Sequence, residues 1–248
     1  MSDCKHVGTP IVTGEDRTHA EENESYDAHK YQELIGELLY LANRTRPDIA
    51  FVTSYLSQYN HSPVKRHYMI GKRVLRYLSG SKYRRLGYDR EFGMLKAYSD
   101  SSWGNAEEAR SFSGGALFIG NSLISWRCKK QRTVGNSTCE VELCAVSEMV
   151  KDIMWIQSML TELHCNEYVD KPTPILCDNQ ATIQWVKNAK SSTKTRHVNL
   201  KYYFVREEVE NGIIAISHVN TNNMVADCFT KSVSKEKLEW CCDQMYLS

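Results

Sequence analysis

No C-x-x-C pair occurs in the 248 residues, which removes the usual spacing of a structural zinc site. Nowhere do eighteen apolar residues run together, so no membrane-crossing helix is expected. The first thirty residues are polar and acidic and lack the apolar core of a secretory signal. Charge of one sign is also missing. Lys and Arg number 31 against 30 Asp and Glu, a formal charge of +1, so attraction to a polyanion has to be local. There is no Asp-Asp dipeptide, the paired acids that a polymerase palm presents, so no polymerase activity is expected. No internal repeat is visible. The nine cysteines are odd in number, scattered and mostly set in apolar runs, as buried thiols of a reducing, intracellular compartment would be. The length suits one large domain or two small ones, and two is the working number.

The texture changes along the chain. Residues 1–30 carry seven acids against three bases with few large apolar groups, a composition that predicts a mobile segment. From Tyr31 the apolar spacing becomes helical, with Leu34, Ile35, Leu38, Leu39 and Leu41. A second helix follows Arg46-Pro47-Asp48, and a third is predicted over 64–80, with Gly80 as its stop. Between Lys65 and Arg90 nine Lys or Arg stand against the single acid Asp89, interleaved with tyrosines. A solvated helix face is the plain explanation; the density of charge favours a surface that holds a phosphate backbone, with Lys72, Arg73 and Arg76 as its candidates.

After Arg90 strands and helices alternate. The pattern predicts a strand over 95–99, a hairpin over 112–128 around Gly-Asn-Ser, a long amphipathic helix over 138–163, and a short strand over 174–178. Helices over 181–187 and 197–210, a strand over 213–218 and a last helix over 223–230 complete the series. Four acids take matching places in that order: Asp100 at the first strand's end, Glu142 near the start of the long helix, Asp178 after the fourth strand, and Asp227 near the start of the last helix. Strand ends and helix beginnings meet at one edge of such a sheet. Carboxylates crowded there repel one another unless cations hold them, and hard oxygen ligands suit Mg²⁺, with Mn²⁺ as a substitute. The arrangement predicts a two-metal phosphodiester site.

The phrases "YSDSSWG", "ISWRCKKQRTV", "STCEVELCAVSE", "CDNQATI", "RHVNLKYYFVRE" and "HVNTNNMVADCFTK" stand in the order found in the ribonuclease H domain of copia-type long-terminal-repeat retrotransposon Pol polyproteins. Upstream, "YQELIGELLYLANRTRPDIAFVTSYLS" and "KRVLRYLSG" resemble the tail of that family's reverse transcriptase, and "CKHVGTP" the boundary before it. The resemblance spans about residues 4–233. It implies an α/β, ribonuclease H-like fold: a mixed five-stranded sheet, its first three strands antiparallel, flanked by helices and preceded by a small helical region like a reverse-transcriptase thumb or connection. The implied organisation is an acidic segment over 1–30, a helical reverse-transcriptase tail over 31–90, the ribonuclease H domain over 91–233, and a C-terminal helix or tail over 234–248.

Carried over residue by residue, Asp100, Glu142, Asp178 and Asp227 match the family's metal-binding acids. Glu140 competes with Glu142, but "VELCA" resembles the "AEL" phrase of retroviral ribonucleases H, which leaves Glu140 as a solvated acid at a helix N-terminus. His218 resembles the mobile histidine that assists water activation or product departure, whereas His197 is read as structural or substrate-positioning. Ser101, Ser102, Asn136, Asn179 and Gln180 are neutral donors suited to gripping RNA, and each could equally serve a turn or a cap. The chain departs from the family at Ser102, where a second acid is common, and at Val134-Gly135-Asn136-Ser137. The implied activity is Mg²⁺-dependent cleavage of the RNA strand of an RNA/DNA hybrid, in a retrotransposon particle in the cytoplasm or in the nucleus, with the rest of a reverse transcriptase as a further partner. The alternative is a catalytically drifted nucleic-acid-binding protein. An integrase-like transferase fits poorly, because the Glu lies on the first long helix, between the first two Asp positions.

Overall fold

The computed structural model describes residues 4–15, 24–89, 93–103, 110–187 and 196–248. It divides into two compact units: residues 88–230, and residues 1–87 together with 231–248. The second grouping sets the C-terminal residues with the helical region.

In the 88–230 unit, β1 (Leu95–Ser102), β2 (Phe112–Ile119) and β3 (Ser122–Lys130) form the antiparallel half of a five-stranded sheet. β4 (Thr173–Cys177) and β5 (Ile214–His218) add in parallel, giving the order β3-β2-β1-β4-β5. Gly120, at φ +59°, makes the tight hairpin turn that Gly-Asn-Ser predicts. Between β3 and β4 runs α4 (Thr138–Glu162), capped by Ser137 Oγ, which accepts from Glu140 N at 3.3 Å. Its stripe of Val146, Met149, Val150 and Ile153 is buried in one cluster with Leu95, Ala97, Leu117 and Ile175. α5 (Gln180–Lys187) and α6 (Arg196–Glu210) follow β4.

Two expectations change here. β1 continues past Ser99 to Ser102, so Asp100 lies inside the strand, paired with Gly114, and does not end it. Hydrogen bonding of Ser102 carries the strand on: its Oγ accepts from Phe112 N at 3.1 Å. The helix expected over 223–230 is two short 3₁₀ turns, Thr221–Asn223 and Val225–Phe229. Asn220 caps the first, and Asp227 sits buried in the second.

β2 carries adjacent glycines that face opposite ways, as alternation along a strand requires. A Cβ on Gly115 would fall 2.0 Å from Met149 Sδ, so its absence lets α4 press onto the sheet. A Cβ on Gly114 would fall 2.6 Å from Thr230 Cγ2 and 2.9 Å from Phe229 Cβ, so the 225–230 segment seats there.

In the other unit, α1 (Ala28–Arg44), α2 (Ala50–Ser57) and α3 (Lys65–Gly80) bury Tyr31, Ile35, Leu38, Leu56 and Val74. Asp27 caps α1 by accepting from His29 N and Lys30 N. Of the acidic segment, residues 4–15 are held against the unit, while residues 1–3 and 16–23 lie outside the described residues. Thr9 Oγ1 accepts from Arg73 Nη2 at 3.0 Å, Glu15 pairs with Arg66 at 2.6 Å, and Gly14 N donates to Ser232 Oγ at 2.9 Å. The C-terminal chain, with α7 (Lys235–Gln244), returns to the same unit, where Gly87 N donates to Tyr246 O at 2.7 Å.

A buried ion pair organises the turn after α1. Arg46 grips Asp48 through Nε at 2.9 Å and Nη2 at 2.7 Å, and the Tyr77 hydroxyl donates to Asp48 Oδ2 at 2.7 Å. Burial and the Asp48 carboxylate together push the Tyr77 phenol above its ordinary range, so it stays a donor. Removing one partner of a buried pair strands the other charge, at a cost of about 3–5 kcal/mol. Asp48→Asn should therefore lower the urea midpoint of this unit by a corresponding amount, while Tyr77→Phe should cost only about 1–3 kcal/mol. Equal, small shifts for both variants would mean that Arg46 finds water in the folded chain.

Candidate metal centre

Asp100, Glu142 and Asp178 come together from β1, α4 and the residue following β4, with carboxylate oxygens all within 4.8 Å of one another. Asp100 and Glu142 are buried and Asp178 is half-buried. Ser101 N donates to Glu142 Oε1 at 3.2 Å, and the Thr221 hydroxyl donates to Asp178 Oδ2 at 2.9 Å. Beneath them the Cys177 thiol lies 3.9 Å from Glu142 Oε2. Burial, and then the charge of Asp100, push the Glu142 carboxyl well above the ordinary carboxylate range, against the Ser101 hydrogen bond, which lowers it. Burial and the Glu142 charge likewise push the Cys177 thiol up, so it stays a neutral thiol.

This donor set fits a hard divalent cation: three carboxylates, no soft ligand among them, and a buried acid that its neighbours make costly to ionise. Asp227 is buried on the turn seated at Gly114 but lies outside the close group of three. His218 ends β5 opposite Cys177 in register and is exposed.

The remaining candidates separate. Glu140 is buried, not solvated: its Oε2 accepts from Asn136 N at 2.9 Å and from Asn136 Nδ2 at 3.2 Å, so this acid closes the loop ahead of α4. Asn179 caps α5, its Oδ1 accepting from Thr182 N at 2.9 Å, and Gln180 beside it is exposed. Ser102 is buried in the β1–β2 ladder, its Oγ taken up by Phe112 N. The side chain of His197 lies outside the described residues. In the helical unit, Lys72, Arg73 and Arg76 are half-buried on α3, and Arg73 is bound to Thr9. Burial and the neighbouring Arg76 lower the Arg73 pKa.

A basic cleft of about 560 Å³, absent from the sequence-based candidates, lies between the end of β3, α4 and α6. Lys129, Lys130, Arg132 and Lys201 line it, beside Cys144 and Glu148. Arg127 also lines it but is paired with Glu148 at 2.8 Å and Asp152 at 2.5 Å. The run Arg127-Cys128-Lys129-Lys130-Gln131-Arg132 holds the signal for this cleft. Lys201 is added only by the fold.

The strand order, the long helix after the hairpin and the acids at the sheet define a ribonuclease H-like domain. Over 95% of its length the chain belongs to the retrovirus-related Pol polyproteins of copia-type transposons. It is 35% identical over 237 residues to the Pol polyprotein from transposon RE2 of Arabidopsis thaliana, and it spans 16% of that polyprotein. It is also 39% identical over 128 residues to secreted RxLR effector protein 161 of Plasmopara viticola, covering 90% of that protein and 51% of this chain. Among solved structures it resembles a ribonuclease H1 isolated from compost, at a TM-score of 0.44 and 10% identity, covering 60% of this chain and 97% of that one. No protein-family model matches the chain. Among the described residues no helix is long and apolar enough to cross a membrane.

The charge crowding makes a direct prediction. The folded chain holds the Glu142 proton more tightly than the unfolded chain does. In chelator, stability should therefore fall as pH rises from the ordinary carboxylate range toward the raised folded value. Glu142→Gln should melt above the wild type at pH 8, with the gap closing toward pH 5. A variant that melts below the wild type at every pH in thermal scans would contradict the repulsion.

Proposed function

We propose that the chain is the ribonuclease H of a copia-type Pol polyprotein, which hydrolyses the RNA strand of an RNA/DNA hybrid with divalent ions held by its acids. The convergence of Asp100, Glu142 and Asp178 within 4.8 Å carries this reading. Asp100, Glu142 and Asp178 would hold Mg²⁺, with Asp227 brought up by the neighbouring turn; Mn²⁺ would serve as a substitute. Bound ions of this kind supply Lewis acidity for activating water and for stabilising the leaving oxygen.

The chain's own groups do the rest. The hydrogen bonds from Ser101 N and from the Thr221 hydroxyl orient Glu142 and Asp178. His218, exposed at the end of the neighbouring strand, would assist water activation or product departure. Asn136, Asn179 and Gln180 offer neutral donors for ribose hydroxyls, whereas the Ser101 hydroxyl expected to join them is buried, and the cleft of Lys129, Arg132 and Lys201 offers positive charge to a phosphate backbone. Lys72, Arg73 and Arg76 would add phosphate contacts from the helical unit, whose resemblance to a reverse-transcriptase tail makes the rest of that enzyme a partner. Work in a retrotransposon particle, in the cytoplasm or nucleus, and an absence of polymerase activity belong to the same reading.

A second reading, a catalytically drifted binding protein, is favoured by one observation: a relative that the chain nearly covers is named as a secreted effector, not as a polyprotein. Single-turnover cleavage of a labelled RNA/DNA hybrid in Mg²⁺ separates the two. Wild type should cut, and Asp178→Asn should lose on the order of a thousandfold in rate, with its melting in chelator unchanged or raised. An inactive wild type that still binds the hybrid would establish the binding protein instead.

Salt titration of binding tests the positive surfaces. Each lost phosphate contact removes about 0.9 from the slope of log affinity against log salt on B-form duplexes. The triple variant Lys129→Ala, Arg132→Ala, Lys201→Ala should flatten the slope by up to roughly three. For Lys72, Arg73 and Arg76 changed together the flattening should be smaller, because Arg73 is already bound to Thr9. An unchanged slope in the first variant would leave the cleft without a role in binding.

A further inference from the structure

From the geometry of the 225–230 segment we infer that Thr230 is a positioning residue for the metal centre: its hydroxyl fixes the Asp100 carboxylate, and Gly114 holds the threonine in place. The inference rests on the reading of Asp100 as an ion ligand.

Thr230 is fully buried, and its hydroxyl donates to Asp100 Oδ2. The other acceptor in reach is the backbone carbonyl of Asp227, at 3.2 Å. The same carbonyl accepts from Thr230 N at 3.2 Å. One hydroxyl therefore ties the first acid to the segment that carries the fourth. The methyl group sets which way the hydroxyl points. It lies 2.6 Å from where a Cβ on residue 114 would be, too close for both, so it takes the space that only glycine leaves open. Gly114 is also the register partner of Asp100, which places the methyl's seat directly across the ladder from the carboxylate. Threonine's branched Cβ restricts χ1, so a methyl fixed on one side fixes the hydroxyl on the other.

Why this matters to an ion follows from ligand geometry. A carboxylate that rotates freely offers its oxygens in many directions and must be ordered on binding, whereas one held by a hydrogen bond is ordered beforehand. The bond also stabilises negative charge on Asp100, beside Glu142 and Asp178. Removing a partner of this kind typically weakens metal affinity by 10- to 100-fold.

Three variants separate the contributions. Thr230→Val keeps the shape and the methyl but removes the hydroxyl. Thr230→Ser keeps the hydroxyl with a freer χ1. Gly114→Ala intrudes on the methyl and on the carbonyl of Ala226, which would lie 3.0 Å from the new Cβ. The readout is Mn²⁺ and Mg²⁺ affinity of the metal-stripped full chain by isothermal titration calorimetry, beside thermal melts in chelator. Thr230→Val should bind ions about 10- to 100-fold more weakly, and Thr230→Ser within about threefold of wild type. Gly114→Ala should weaken ion binding as Thr230→Val does. Wild-type affinity in Thr230→Val would overturn the inference while leaving the metal centre standing. Equal loss in Thr230→Ser and Thr230→Val would also overturn it, because packing and not the hydroxyl would then be responsible. A wild type that binds no ion, or an Asp100→Asn variant that binds as well as the wild type, would remove the metal centre itself and the inference with it.

Discussion

Like charges gathered in a poorly solvated place govern the ribonuclease H-like unit. Asp100, Glu142 and Asp178 have oxygens within 4.8 Å of one another, and two of the three residues are buried. Such a group opposes folding, and the opposition is visible in Glu142, whose proton is held well above the ordinary range by burial and by Asp100. It persists because other interactions over-determine the positions of its backbone. α4 is pinned by Val146, Met149, Val150 and Ile153 in a core shared with four strands. Its first turn is pinned by Ser137 and Glu140, each bonded to backbone N–H groups. Glu142 is thereby carried to its place by a helix that could not easily move away.

The two glycines of β2 show how little room the sheet leaves. Adjacent in sequence, Gly114 and Gly115 face opposite sides, and each is in contact with a segment that a single methyl group would displace. One side admits the helix that carries Glu142; the other admits the turn that carries Asp227. Both approaches converge on the strand paired with β1, at the register positions of Ser99 and Asp100. The close packing of the sheet and the position of the acids are therefore one constraint, expressed on two faces of one strand.

Much of this is legible in the sequence. Helical spacing located α1, α3, α4 and α6 to within a few residues, because each buries a continuous stripe and the stripe is written in the sequence. The Gly-Asn-Ser turn gave the hairpin for the same local reason. What was missed depends on distant partners. β1 runs on through Asp100 to Ser102 because Phe112 N bonds back to Ser102 Oγ, a contact no local pattern encodes. Glu140 looks solvated by position, yet it is buried by the loop whose amide it accepts. Residues 4–15 are too polar to fold alone, but Thr9, Gly14 and Glu15 find partners on α3 and the C-terminal chain. Among the acids, order along the chain revealed three that meet, while the placement of Asp227 turns on a 3₁₀ segment that helical periodicity could not distinguish from an α-helix.

The near-zero net charge conceals a strong internal separation. Glu142 joins the acids, and Cys144, two residues on, lines the basic cleft. Two residues are about 200° around a helix, so the two regions lie on opposing faces of α4, a helix about 10–12 Å across with its side chains. At physiological salt the Debye length is about 8 Å, so Lys129, Arg132 and Lys201 are poorly placed to neutralise the acids through solvent. Their positive charge stays on the cleft's side of the helix, and it leaves the crowding of the acids unrelieved. A counted balance of 31 bases against 30 acids hides both conditions, because it adds charges that the fold keeps on different sides of a helix.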